Sequence, residues 1–120
     1  MGGTLELGKW GETQALDFLL SKDYRAVSQG YRTRFGEIDL IVKNNEFIIF
    51  VEVKVRKNSD FAMPREYVGH TKQSKIIATA QMWLAKHETA LQPRFDVIEV
   101  FAPDGIKTDF PRIIHLENAF

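Results

Sequence analysis

Five consecutive apolar residues, Phe47 to Val51, run without a polar interruption, and the residues after them alternate with the period of a strand. A strand that is apolar at every position is covered on both faces, because its side chains point alternately to opposite sides of the sheet. From Glu52 onward the same strand alternates, with Glu52, Lys54 and Arg56 interleaved among Val51, Val53 and Val55. The charges therefore begin where the strand leaves the core, at the mouth of a cleft. Ionised groups in such a place are costly to desolvate unless something pairs with them.

The preceding segment, Glu37 to Lys43, reads as a second strand with Asp39 between Ile38 and Leu40. Asn44-Asn45 suits a two-residue hairpin turn, since asparagine tolerates positive φ. That turn places Lys43 opposite Glu46, Asp39 opposite Phe50 and Glu37 opposite Glu52. Directly paired residues share a face, so Glu37, Asp39, Glu52, Lys54 and Arg56 are predicted on one side. Glu37 beside Glu52 would be repulsive, relieved by a divalent cation, Lys54 or Arg56. Asp39 with Glu52 is the better-placed pair.

Elsewhere the spacing predicts a helix from about Leu5 to Lys22, with Leu16, Leu19 and Leu20 on its apolar side and Glu12 near them. Tyr24 to Gln29 reads as a short edge strand. Gly30 to Gly36 reads as a loop or strand end, and its Arg32 and Arg34 suit either a phosphate backbone or an ordinary polar loop. Asn58 to Gly69 has no sustained period and reads as a loop. A helix follows from about Thr71 to His87, its stripe of Ile76, Ile77, Ala80, Trp83 and Leu84 forming core, with Gln73 a polar exception. Arg94 to Phe101 alternates as a strand, and residues 113–116 add a last short one. Helix, three strands, helix, strand makes a compact α/β domain with a mixed sheet, the last main strand running parallel to an earlier one.

The 120 residues suffice for one domain, 1–120, with one core. No apolar run is long enough to cross a bilayer, and the N-terminus lacks the apolar stretch of a signal peptide. The absence of cysteine excludes disulfides and thiolate metal sites and favours a cytoplasmic protein. The three histidines, isolated in sequence, read as surface or structural residues. Net charge is zero, but residues 22–75 carry 11 Lys and Arg against 7 Asp and Glu, so the basic excess surrounds the carboxylates. Paired carboxylates at a cleft mouth form a hard-oxygen site for Mg²⁺ or Mn²⁺, with the Val53 carbonyl as a natural extra ligand and Lys54 in reach of a bound phosphate. From these residues alone, that reading and a merely solvated sheet face stay open.

Glu12, then Gly36-Glu37-Ile38-Asp39-Leu40-Ile41, then Phe50-Val51-Glu52-Val53-Lys54-Val55-Arg56 resemble the YraN-type family of small bacterial proteins, similar in turn to the PD-(D/E)xK nucleases and archaeal Holliday-junction resolvases. The likeness extends to Lys72-Gln73, Arg94-Phe95-Asp96-Val97 and Asn118-Ala119-Phe120. It implies a restriction-endonuclease-like αβββαβ core, with a mixed central sheet flanked by helices. It also implies Asp39 and Glu52 as metal ligands, Lys54 as catalytic lysine, Glu12 as accessory acid and Gln73 as the polar residue of the second helix. Ile38 stands where the superfamily name has proline, and Gly30-Tyr31-Arg32 where the family has Asn-Tyr-Arg. The expected activity is Mg²⁺- or Mn²⁺-dependent endonuclease action on branched, single-stranded or duplex DNA, with Arg32, Arg34, Arg56 and Lys72 contacting nucleic acid. The alternative is a non-catalytic or partner-dependent nucleic-acid-binding module on the same fold. Resemblance to resolvases further implies a homodimer and no membrane partner.

Overall fold

A computed structural model describes residues 3–57 and 68–120. The order is α1 (Gly3–Ser21), β1 (Arg25–Thr33), β2 (Gly36–Lys43), β3 (Phe47–Arg56), α2 (His70–Lys86), β4 (Gln92–Phe101) and β5 (Arg112–Leu116), with a short 3-10 turn at Gly105–Lys107. The strands lie in the sheet in chain order, β1-β2-β3-β4-β5. Among the described strands only β3 and β4 run parallel, and the other neighbouring pairs are antiparallel. This is the predicted αβββαβ core, extended by one strand. The loop expected at Asn58 to Gly69 falls almost wholly outside the described residues.

The apolar run behaves as its pattern requires. Ile48 and Phe50 join Ile41, Ile76, Ala80 and Trp83 beneath α2. Ile49 and Val51 join Leu40, Val42, Ala15 and Leu19 beneath α1. All four β3 side chains are essentially inaccessible. Each helix thus covers one face of the sheet, and β3 is central because both of its faces have something to bury.

Close approach of α1 to the sheet depends on Gly11. A Cβ there would run into the Val55 side chain, so the helix sits lower on β3 than any larger residue would allow. At the other end Asp23 takes φ 69°, and the Tyr24 amide returns to the Leu19 carbonyl, which ends the helix and turns the chain into β1.

Two expectations are corrected. The β2–β3 turn is centred on Asn45-Glu46, one residue later than predicted. The Asn44 side chain accepts the amides of Glu46 and Phe47 at 2.9 and 2.7 Å, and the Asn44 amide donates to the Phe47 carbonyl. Neither asparagine needs positive φ, because the side-chain bonds close the turn. Lys43 therefore faces Ile48, and Leu40 faces Val51. Continued by one step, this register sets Asp39 against Glu52, whereas Glu37 pairs with Arg32 of β1.

The second correction concerns β1, which runs through Gly30 to Thr33 instead of stopping at Gln29. Its irregularities explain the misreading. The pairing shifts between Ala26 and Ser28, and Gly30 adopts φ 65°, a conformation costly for other residues. On a strand at the sheet edge, such breaks also discourage pairing with another chain.

Candidate functional site

The alternation of β2 breaks at the residue that matters most. Ile38 and Ile41 both pack under α2, three positions apart, while Leu40 and Val42 pack under α1. The break falls at Asp39. Its Oδ2 turns toward β3 and accepts the Val53 amide at 2.8 Å, replacing a ladder bond with a side-chain one. Asp39 and Glu52 then lie side by side, within hydrogen-bonding reach of each other.

Electrostatics follow from that contact. Burial, reinforced by the hydrogen bond and charge of Glu52, pushes the Asp39 carboxyl up to about 9, against a modest opposing pull from the Val53 amide. Burial also acts to raise Glu52, but the hydrogen bond from Asp39 and the ammonium of Lys72 hold it below its ordinary value. The two carboxyls titrate as a pair, in which Asp39 is the harder to ionise and Glu52 the easier. Glu52 is only 6% exposed, and its Oε2 lies 2.9 Å from Lys72 Nζ.

Lys54 follows Glu52 by two residues on the same face. Desolvation, then the adjoining Lys72 amine, depress its pKa. Lys72 is shifted the other way: its contacts with Lys54 and Glu52 outweigh desolvation. Asp39, Glu52, Lys72 and Lys75 line a cleft of about 440 Å³ between the ends of β2 and β3 and the start of α2. Glu37 lines this cleft and also a neighbouring cavity of about 760 Å³, where Lys9, Glu12 and Arg32 join it.

Glu12 reaches the edge of the site from α1. Burial, then the charges of Glu37 and Glu52, raise its pKa, so it shares the field of the pair. Among the described residues no group of three or more Asp, Glu or His side chains gathers as a metal cluster. Glu12 and Glu37 contribute charge to the site, and Asp39 and Glu52 are the two carboxylates in direct contact. Two hard oxygen donors crowded into a buried place, with one proton retained to limit their repulsion, fit a small divalent cation.

The other predicted residues fall in various places. Gln73 donates its side-chain amide to the Val68 carbonyl at 2.7 Å, holding the chain that enters α2. Val53 engages Asp39 through its N–H. Arg32 is exposed and paired with Glu37 at 2.9 Å, so Glu37 is relieved by β1 and does not stand opposite Glu52. Arg34 lies in the β1–β2 turn, its guanidinium 4.9 Å from the Phe35 ring centroid. Arg56 donates from Nε to Glu99 at 3.2 Å.

Sequence reasoning missed two features. Lys72, expected only as a nucleic-acid contact, also forms an ion pair with Glu52 in the carboxylate site. Asp96, buried on β4, accepts two bonds from Arg94, one from the Asn118 amide, and a 2.7 Å contact from His115. Arg94 also donates to the Tyr24 hydroxyl. The signals in the sequence were the alternation of Arg94 and Asp96 along the strand and their place in the family resemblance.

With this geometry in place, comparison with known proteins is informative. The model of the Uncharacterised protein family UPF0102 matches residues 11–100, spanning the second half of α1, the whole carboxylate hairpin, α2 and most of β4. The chain belongs to that family. UPF0102 proteins of Thermodesulfovibrio yellowstonii and Clostridioides difficile are 40% and 43% identical to it, over 97% and 96% of this chain and 96% of each relative. A UPF0102 protein of Vibrio parahaemolyticus is 44% identical over 79% of this chain and 80% of its own. Membership of UPF0102 carries no assigned reaction.

Proposed function

We propose that this UPF0102 protein is a Mg²⁺- or Mn²⁺-dependent endonuclease that hydrolyses phosphodiester bonds in branched or single-stranded DNA. The observation that carries the reading is the contact of half-buried Asp39 with buried Glu52, with Lys54 beside it. Asp39 and Glu52 would hold the metal, with the Val53 carbonyl as an additional donor. When bound, the metal supplies a water of lowered pKa and polarises the phosphoryl oxygen.

The chain's own residues do the rest. Lys54 orients the attacking water and offsets charge on the pentacovalent transition state. Burial and the adjoining Lys72 hold its pKa below the ordinary lysine value, so its ammonium gives up a proton more readily than a solvated lysine. Glu12 faces the site from α1 and positions water on that side. Arg32 and Arg34, exposed along β1 and the turn after it, are placed to bind the phosphate backbone.

Incubation with Mn²⁺ and a panel of branched, single-stranded and duplex DNAs tests the proposal. Cleavage of at least one substrate is expected, and Asp39→Ala or Lys54→Ala should abolish it while leaving the thermal melt cooperative. If nothing is cut but salt-sensitive binding persists, the protein is instead a binding module on this fold.

A further inference from the structure

The start of α2 breaks the usual rules for a helix N-terminus. Its first residues are His70, Thr71 and Lys72, with no acidic residue in the first turn. Gly69 at the cap offers no side-chain acceptor. A lysine here lies at the positive end of the helix dipole and is unfavourable in isolation. Its compensation comes from another element. Lys72 Nζ reaches across the cleft to Glu52 Oε2 at 2.9 Å, while about half of its side chain remains exposed. An exposed lysine with a buried carboxylate partner can leave without unpacking any core.

Glu52 is also one of the two donors for the divalent cation. Lys72 and that cation therefore seek the same oxygen. We propose that Lys72 is a tethered counter-cation, which neutralises the Asp39–Glu52 pair in the metal-free protein, yields Glu52 to the divalent cation, and then takes a substrate phosphate. The inference rests on the metal-dependent reading above and adds an order of events to it. Before metal arrives the ammonium is engaged, and afterwards a positive charge is released at the cleft where the phosphate would lie. Metal and nucleic acid then bind cooperatively through one side chain.

Lys75 provides the internal control, because it lines the same cleft and forms no ion pair with Glu52. Mn²⁺ affinity is measured by calorimetry on the wild type, Lys72→Met, Lys72→Arg and Lys75→Met. Lys72→Met should bind Mn²⁺ about three- to tenfold more tightly, as expected for loss of a competing ion pair of this exposure. Lys72→Arg should stay near the wild type, and Lys75→Met should change less than Lys72→Met. Affinity for a single-stranded oligonucleotide is then compared without metal and with Ca²⁺. Wild type and Lys72→Met should bind alike without metal, and the wild type should bind more tightly with it.

Equal or weaker Mn²⁺ binding by Lys72→Met overturns the inference, as does equal tightening by Lys75→Met. An oligonucleotide affinity that changes with Ca²⁺ by the same factor in both proteins overturns the transfer to phosphate. Failure of every variant to bind Mn²⁺ at millimolar concentration overturns the metal-dependent reading itself.

Discussion

Asp39 holds its proton to about pH 9 in the folded protein, far above the ordinary aspartate value of 3.8, because it is buried beside Glu52. An unfolded chain would release that proton near the ordinary value. Between those limits the folded state binds more protons, so its stability falls as pH rises. The contribution is complete below the unfolded pKa and is lost as pH passes the folded one. Glu12 and Glu99, both raised chiefly by burial, act in the same direction. The melting temperature of chelator-treated protein should therefore decline from pH 5 to pH 9. Asp39→Asn, which keeps the shape and removes the titration, should flatten that decline and melt above the wild type at pH 9. Parallel curves for the two proteins would assign the slope to other groups.

Among the elements, the packing of α1 on β3 is the tightest fit and the easiest to test. Gly11→Ala would force its new methyl into Val55, whose branched side chain has little rotameric freedom, at a cost of about 1–3 kcal/mol. Because Glu12 is the next residue, the same displacement would lift its carboxylate from the site. Trimming Val55 to alanine in the Gly11→Ala background should recover most of the lost stability in urea denaturation, although Val55→Ala alone is destabilising. Two additive losses would show that the contact is not the cause.

This element also shows what could be read from the sequence. The helices, β3 and the parallel β4 were legible, because apolar periodicity follows directly from which faces are buried. The position of the β2–β3 turn was not, because the Asn44 side chain decides it through bonds that leave no periodic trace. Asp39 and Glu52 were found on the correct face for a partly wrong reason. The true register shifts the pairing by two residues, which preserves facing and changes only the neighbours. The ion pair of Lys72 with Glu52 was not legible because its partner lies on β3, and helical spacing says nothing about contacts across a cleft.

At the scale of the whole molecule, Asp96 ties together parts that are distant in sequence. Arg94, His115 and the Asn118 amide meet at its carboxylate, and Arg94 reaches Tyr24 at the end of α1. Burial opposes its ionisation, but the bonds from His115, Arg94 and Asn118 hold its pKa below the ordinary value. This contribution is present above the unfolded pKa and is lost as pH falls through the folded one. Asp96→Ala would leave Arg94 buried without its main partner, at about 3–5 kcal/mol. Chemical denaturation at pH 7 should register that loss, whereas a change below about 1 kcal/mol would mean that the network is dispensable.

The parallel pairing of β3 with β4 carries a consequence for how the molecule is made. Glu12, Asp39, Glu52, Lys54 and Lys72 all precede residue 73, yet the strand that flanks β3 on its far side spans Gln92–Phe101. A ribosome delivers the chain from its N-terminus, so every residue of the site emerges before the support that fixes β3 in place. Until β4 emerges the far side of β3 stays open, and water can separate the two carboxylates. The site takes form only once β4 has been made.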